Sequence, residues 1–261
     1  MTMKRVLGAF AVLVVIWLIV PTLVIIPMSF NSASSFNFPP KGFSTQWYEN
    51  FFTDPSWLRS LWASLRVAVV TMVVATSIGV AAAIGLTKVR FRGKGLMESY
   101  FLMPMIVPGI VLAVGLYSLF LRFGLLGTLP GFVLAHTVVA LPLVITNVMA
   151  SLQGVDPRLE QASASLGAGR MRTFFSVTLP LIVPGVTAGA LFAFVTSFDE
   201  VILSLFIQSP QLQTLPVKIF NSVTQTNDPT VAAVAVITML TSVIVMLTAQ
   251  FASRKRKRVS V

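Results

Sequence analysis

The chain of 261 residues is 56% hydrophobic and 10% charged, with a mean hydropathy of +0.88. A soluble fold cannot bury that much apolar surface, so the composition excludes an ordinary soluble protein and indicates a lipid environment. The net charge of +11 would suggest nucleic acid in a soluble protein, but most basic residues stand between apolar runs and indicate membrane topology instead. We therefore expect no nucleic-acid partner. With no cysteine and a single histidine, we also expect no metal site.

Six segments are long and apolar enough to cross a bilayer, since a spanning helix needs roughly 20 mostly apolar residues. They are Val6 to Met28, Leu61 to Leu86, Met97 to Phe120, Leu129 to Ala150, Leu181 to Phe206 and Val231 to Phe251. The first follows two basic residues as a signal peptide would, but it is too long and lacks a small-residue cleavage site, so we interpret it as a retained anchor. The sequence thus predicts an all-α integral membrane protein with one transmembrane domain over residues 1–261.

Basic residues predict the orientation, because cytoplasmic loops next to membrane spans are enriched in lysine and arginine. Fourteen of the nineteen lie before the first predicted span, after the second, after the fourth and after the sixth. Both termini are therefore expected in the cytoplasm. The last basic run, from Arg254 to Arg258, is expected to anchor the final span at lipid headgroups.

Small residues and prolines recur in the predicted spans. The small residues at a spacing of four are Ala75, Gly79 and Ala83 in the second span and Gly185, Gly189 and Ala193 in the fifth. This spacing is typical of helices whose backbones pack closely in membranes. The prolines inside the spans are Pro104, Pro108, Pro142 and Pro184. They free backbone carbonyls and predict bent helices.

The cytoplasmic loop at 151–180 has an ordered pattern of its own. Asp156 suits a helix N-cap, Pro157 suits the first helical position, and Gly167 is a natural stop for a short helix. A second short helix is expected from Gly169 to Val177. The loop therefore predicts a helix, a glycine break and a helix on the inner face of the membrane.

This pattern resembles the Glu-Ala-Ala loop of the permeases of binding-protein-dependent ABC importers. In that loop a glycine follows the second alanine by four residues, and Ile-x-Leu-Pro comes ten residues after the glycine. The matching positions are Asp156, Pro157, Leu159, Glu160, Ala162, Gly167, Val177, Leu179 and Pro180. Gln161 occupies the glutamate position and Ser163 the second alanine position. A role that needs a carboxylate there would have to pass to Glu160.

The resemblance implies the type I ABC importer permease fold, with a loop that acts as a coupling helix in a groove of a separate cytoplasmic ATPase. Coupling to the ATPase would then fall to Asp156, Glu160, Gln161, Ala162 and Gly167. We expect no catalytic residue and no cofactor in this chain, because no lysine is followed by serine or threonine as a phosphate-binding loop requires. ATP and magnesium would be bound by the partner.

The same resemblance implies the other members of the assembly. These are two cytoplasmic ATP-binding subunits, a second homologous permease subunit and an extracytoplasmic solute-binding protein. The location would be the bacterial inner membrane, which the chain would cross several times in contact with lipid.

The resemblance extends beyond the loop. FAFVTSFDEVILSLFI from Phe192 to Ile207 looks like the second permease subunit of spermidine/putrescine-type importers, as do FPPKGFSTQWYENFF before the second predicted span and TLPVKIFNSV before the sixth. This subgroup implies a small cationic cargo, foremost a polyamine. Permeases for other small amines and for aminoethylphosphonate belong to the same subgroup, so these cargoes stay open.

Asp199 and Glu200 are adjacent carboxylates inside a predicted span, where each would cost about 2.5–3.5 kcal/mol at mid-bilayer, and such residues usually mark a pathway. We expect one of them to contact a cationic cargo; the alternative is a pair used in helix packing at the interface. Trp47 could add an aromatic face at the pore mouth, although interfacial aromatics commonly anchor spans. His136 and Asn147 are expected to hydrogen-bond between helices.

Two other classes of protein compete with this interpretation. A secondary transporter or channel would also have bent helices and buried carboxylates, but it would need no docking loop and often shows internal repeats that this chain lacks. An intramembrane enzyme is disfavoured because the sequence contains neither an HExxH motif nor a GxSxG elbow.

Overall fold

The computed structural model describes residues 2–34 and 38–257, and within these ranges the regular structure is helical. The chain divides into two compact units. The first contains Met1–Arg59 and Lys218–Val243, and the second contains Ser60–Val217 and Ile244–Val261. The assignment of one domain to residues 1–261 stays a prediction. Arg258, at the end of the expected headgroup anchor, lies outside the described residues.

The described residues form twelve α-helices. They are α1 (Thr2–Ser29), α2 (Gln46–Thr53), α3 (Pro55–Lys88), α4 (Lys94–Ile106), α5 (Gly109–Phe123), α6 (Leu129–Gln153), α7 (Pro157–Ser165), α8 (Arg170–Thr173), α9 (Leu179–Phe198), α10 (Ile202–Ile207), α11 (Leu215–Asn221) and α12 (Thr230–Lys257). Two π-helical stretches, Phe174–Thr178 and Ser222–Thr226, follow α8 and α11.

Among the described residues, four helices are long and apolar enough to cross a membrane. They are Met3–Ser29, Pro55–Lys88, Leu129–Gln153 and Arg170–Phe198. The helices α4 and α5 pass the same test together, which makes five spans if this bent pair counts as one. The apolar part of α12, Thr230–Val245, is shorter. The count of six spans stays a prediction.

The predicted third span, Met97 to Phe120, is not one helix. The chain bends by 102° between its two parts, α4 and α5. Val107, at the end of α4, has extended backbone (φ −70°, ψ 130°), because a residue before proline is forced out of the α region, and Pro108 has no N–H with which to continue the helix. The break replaces the continuous span that hydropathy predicts and places the expected bend at Pro108. By contrast, α6 and α9 continue through Pro142 and Pro184.

The predicted fifth span, Leu181 to Phe206, begins earlier than hydropathy indicates. The helix α8, the stretch Phe174–Thr178 and α9 form one apolar helix, Arg170–Phe198. Pro180 has no N–H to offer the carbonyl of Ser176, and a π-helical stretch accommodates such an interruption. The second helix of the loop at 151–180 is therefore continuous with the helix Arg170–Phe198.

In the second unit, α6 packs along α9 at very short range. A Cβ atom added to Gly185 would lie 2.7 Å from the carbonyl oxygen of Asn147, and one added to Gly189 would lie 3.1 Å from the Cα of Val144. Val144 also fills the space beside Gly79 of α3, where a Cβ would lie 2.5 Å from its Cγ1. The close packing predicted from small residues is confirmed at these three glycines.

In the first unit, α2 is held against the end of α1. The indole Nε1 of Trp47 donates to the carbonyl oxygen of Asn31 at 2.7 Å, and a hydrogen bond of 2.6 Å joins Tyr48 Oη to Ser29 Oγ. The ring of Tyr48 also packs against Phe30, with 5.0 Å between centroids. Trp47 and Tyr48, two of the four aromatic residues of α2, thus anchor this helix.

Candidate functional site

The cytoplasmic loop folds as its caps predict. The Asp156 carboxylate accepts a hydrogen bond from the backbone N–H of Arg158 at 2.9 Å, and Pro157 opens α7. After α7 ends, Gly167 has a φ of +81°, a left-handed conformation that side chains oppose and that allows the sharp turn. The predicted second helix, Gly169 to Val177, corresponds to α8 and the stretch after it. The expected helix, glycine break and helix are confirmed.

The outward surface of this loop carries three of the residues predicted to couple to an ATPase. Gln161, Ala162 and Gly167 are exposed, and the apolar side chain of Leu166 beside them is 89% exposed. A Cβ atom at Gly167 would have no neighbour within 4 Å. The four residues form a small, weakly apolar surface, which we call the α7 surface.

Ser163, which departs from the alanine of the family pattern, has a structural role. A hydrogen bond of 3.0 Å joins its hydroxyl to that of Thr173, which is 8% exposed. This bond ties α7 to α8 across the glycine turn.

The side chain of Glu160 contacts the chain's own helices. Its Oε1 accepts hydrogen bonds from Lys88 Nζ, at the last residue of α3, and from the buried hydroxyl of Thr178. Partial burial raises the pKa of the Glu160 carboxyl, but the hydrogen bonds from Lys88 and Thr178 and the charge of Lys88 outweigh it and hold that pKa below its ordinary value. The structure thus brings Glu160 to Lys88 and Thr178, whereas its neighbours Gln161 and Ala162 are exposed.

The two adjacent carboxylates lie in a break, which corrects the expectation that they stand on a continuous helix. Helix α9 ends at Phe198, and Asp199 has a backbone conformation of φ −97° and ψ 3°. Glu200 Oε1 accepts a hydrogen bond of 2.9 Å from the backbone N–H of Leu203 in the first turn of α10. Because such N–H groups have no partner within their helix, the carboxylate of Glu200 satisfies one of them. Asp199 is exposed and Glu200 half-buried.

His136 of α6 bridges the two sides of this break. Its Nδ1 lies 2.8 Å from Ser197 Oγ at the end of α9, and its Nε2 lies 3.0 Å from Ser204 Oγ in α10. All three side chains are buried. The predicted helix-to-helix hydrogen bonding of His136 is confirmed. Asn147 instead donates to the carbonyl oxygen of Leu143 in its own helix, at 2.7 Å.

Comparison with known proteins identifies the architecture. Residues 75–259 match the family of binding-protein-dependent transport system inner membrane components. The chain belongs to this family. It is 33% identical over 251 residues to the spermidine/putrescine transport system permease protein PotC of Escherichia coli strain K12, covering 96% of this chain and 95% of that protein. It is 29% identical over 226 residues to the putrescine transport system permease protein PotI of the same strain, covering 84% and 80%.

The fold agrees with the family. The chain matches the crystal structure of a bacterial ABC transporter that imports the acidic polysaccharide alginate, with a TM-score of 0.74 at 14% identity, over 100% of this chain and 98% of that one. This permease is therefore a transport subunit of the bacterial inner membrane and not an enzyme. The family assignment also decides against a secondary transporter.

Sequence reasoning missed several residues of the permease that the structure brings together. It counted Lys88 as a topology charge and passed over Thr178, although both donate to Glu160. It also passed over Ser197 and Ser204. No local pattern marks these residues, because Lys88 is 72 positions from Glu160 in the sequence.

Proposed function

We propose that this permease forms half of the translocation pathway of an ABC importer for a polyamine such as spermidine or putrescine. The other half would be a second homologous permease subunit, and an extracytoplasmic binding protein would deliver the cargo. Two cytoplasmic subunits that bind ATP and magnesium would supply the energy. The observation that carries the cargo assignment is similarity, along most of the chain, to permeases named for spermidine/putrescine and putrescine transport.

The α7 surface suits the ATPase contact. Gln161, Ala162 and Gly167 have small or neutral side chains, which permit close approach of a partner, and the exposed Leu166 offers an apolar side chain to bury there. Asp156 supports this surface through its cap on α7. Hydrolysis in the partner would move α7, and the movement would reach the membrane helices.

The break at Asp199 and Glu200 suits contact with a cation. The helix Arg170–Phe198 has 29 residues and is about 43 Å long, whereas the hydrocarbon core is about 30 Å thick. With its basic first turn at the cytoplasmic face, its far end lies toward the outer surface, where cargo arrives. Within residues 2–34 and 38–257 the exposed side chain of Asp199 makes no hydrogen bond, which leaves its charge available to a polycation.

Trp47 supports this proposal less than the carboxylates do. Its indole N–H donates to the carbonyl oxygen of Asn31, and the residue as a whole is half-buried. A contact between its ring and a cationic cargo stays a prediction.

The decisive experiment reconstitutes the purified complex in proteoliposomes with its binding protein and measures uptake of labelled spermidine and putrescine. ATP-dependent, saturable uptake of either is the expected result. Uptake of 2-aminoethylphosphonate or another small amine, with none of either polyamine, would contradict the cargo assignment and leave the importer assignment intact.

A charge-neutral variant tests the break itself. Asp199→Asn with Glu200→Gln removes both charges, while the glutamine oxygen can still accept from the N–H of Leu203. We expect the KM for polyamine to rise about 10- to 150-fold, because a hydrogen bond to a charged group contributes about 1.5–3 kcal/mol. Glu49→Gln is the matched control, since this exposed carboxylate of α2 bonds only Thr45 among the described side chains. Unchanged uptake kinetics in the double variant would assign the pair to helix packing.

A further inference from the structure

Three elements of the second unit meet at one carboxylate oxygen. Glu160 belongs to α7, Lys88 ends α3, and Thr178 belongs to the stretch that leads into α9. We propose that Glu160 is a positioning residue that links the coupling helix α7 to α3 and to the Arg170–Phe198 helix, so that movement of α7 reaches both. This inference rests on the proposed function, because it takes α7 as the contact with the ATPase.

The contacts of Glu160 leave it poorly placed to replace the glutamate that the family carries at Gln161. Both donors bind the same oxygen, and Lys88 Nζ also lies 3.5 Å from Thr178 Oγ1, so the three groups form a closed cluster. Thr178 is only 1% exposed, and the Glu160 side chain is 27% exposed. By contrast, the side chain of Gln161, the next residue, is exposed.

The connections beyond the cluster explain what such a link transmits. From Thr178 the helix continues through α9 to Phe198, directly before the carboxylate break. Because α9 joins Thr178 to the break as a single helix, we expect a displacement at Thr178 to reach Asp199. The hydrogen bond between Ser163 and Thr173 also joins α7 to this helix but does not reach α3. The ion pair between Glu160 and Lys88 therefore connects α3 to α7 and to the Arg170–Phe198 helix.

Charge exchange tests this link in the reconstituted complex. Glu160→Lys and Lys88→Glu each break the pair, and the double variant Lys88→Glu with Glu160→Lys restores it with reversed charges. For the single variants we expect the ATPase subunits to remain bound while cargo taken up per ATP hydrolysed falls about tenfold. The double variant is expected to regain most of the loss. Arg90→Glu is the matched control, since it reverses the charge of an exposed residue just after α3 and outside the cluster.

The opposite pattern would overturn the inference. If the double variant is as defective as Glu160→Lys, and both lose the ATPase subunits while Lys88→Glu keeps them, Glu160 contacts the ATPase directly. Equal coupling in all variants would also overturn it.

A second measurement separates this inference from the cargo assignment. If the wild-type complex hydrolyses ATP but imports no polyamine, the cargo assignment fails. Hydrogen exchange of the α7 amides in the same complex still tests whether the pair of Glu160 and Lys88 holds α7 in place. Faster exchange in both single variants, reversed in the double variant, supports it. Exchange that is unchanged in all of them contradicts it.

Discussion

The carboxylate of Glu160 in α7 and the ammonium of Lys88 at the end of α3 form an ion pair across 72 positions of sequence. This pair holds Glu160 against the chain's own helices, whereas the neighbouring Gln161 and Ala162 are exposed. Under the proposed function, Glu160 contacts the chain's own helices while the exposed residues of α7 would meet the ATPase.

The ion pair predicts a pH dependence with a definite sign. The pKa of Glu160 is lowered below 4.5 in the folded state, so the pair contributes stability above that value and loses it as the pH falls through the lower, folded-state pKa. We expect hydrogen-exchange protection factors of α7 to be constant from about pH 8 to pH 5.5 and to fall only below about pH 4.5. Glu160→Gln should abolish this dependence. A decline already near neutral pH would assign the titration to another group.

The turn at Gly167 predicts a difference between two alanine variants. Gly167→Ala places a side chain at a φ of +81°, which costs about 1–2 kcal/mol, although the added Cβ meets no neighbour. Gly169→Ala is the control, because Gly169 has a φ of −68° and equally free space. Hydrogen exchange should become faster in α7 for the first variant alone. Equal behaviour of the two would show that the turn tolerates a side chain.

A charged side chain at position 167 should abolish transport. Aspartate tolerates the left-handed conformation better than alanine, so Gly167→Asp tests docking more than backbone strain. We expect the variant to reach the membrane in normal amount, to lose its ATPase subunits on purification and to transport nothing. Normal uptake by this variant would show that α7 does not contact the ATPase.

The contact between α6 and α9 predicts strong intolerance at Gly185. In Gly185→Ala the new Cβ would lie 2.4 Å from Ser151 Cβ and 2.7 Å from the carbonyl oxygen of Asn147, so the helices must separate. Overpacking of this kind costs about 1–3 kcal/mol, and we expect a lower thermal unfolding temperature in detergent. Gly115→Ala in α5, where the Cβ meets nothing within 4 Å, is the control and should behave as wild type. Equal stability of both variants would contradict the close approach.

The hydrogen bonds of the buried His136 to Ser197 and Ser204 predict that the stability losses from replacing these three residues do not add. His136→Leu leaves the hydroxyls of Ser197 and Ser204 without their partner, and each buried group left unsatisfied costs about 1–3 kcal/mol. Adding Ser197→Ala and Ser204→Ala to His136→Leu removes those hydroxyls, so we expect the triple variant to be more stable than His136→Leu alone. Thermal unfolding of the three proteins provides the measurement. A further loss of stability in the triple variant would show that the serines have other roles.

Much of the permease could be predicted because the signals are local. Apolar runs predict membrane helices by their length, and Asp156, Pro157 and Gly167 determine where α7 begins and ends through their own backbone chemistry. The spacing of small residues at Gly185 and Gly189 likewise predicts close helix packing. The sequence by itself therefore determined the class of the fold and the helix, glycine turn and helix of the loop at 151–180.

The tertiary structure decided what depends on residues far apart in the chain. Hydropathy cannot detect that the helix breaks after Phe198 and that Glu200 accepts from the N–H of Leu203, because the mean hydropathy of the segment stays high across the break. Nor can a loop pattern show that Glu160 meets Lys88, since the meeting requires α3 and α7 to be brought together by packing. Side-chain partners at long range are set by the three-dimensional arrangement of helices, and these partners distinguish Glu160, which contacts the chain's own helices, from the exposed Gln161.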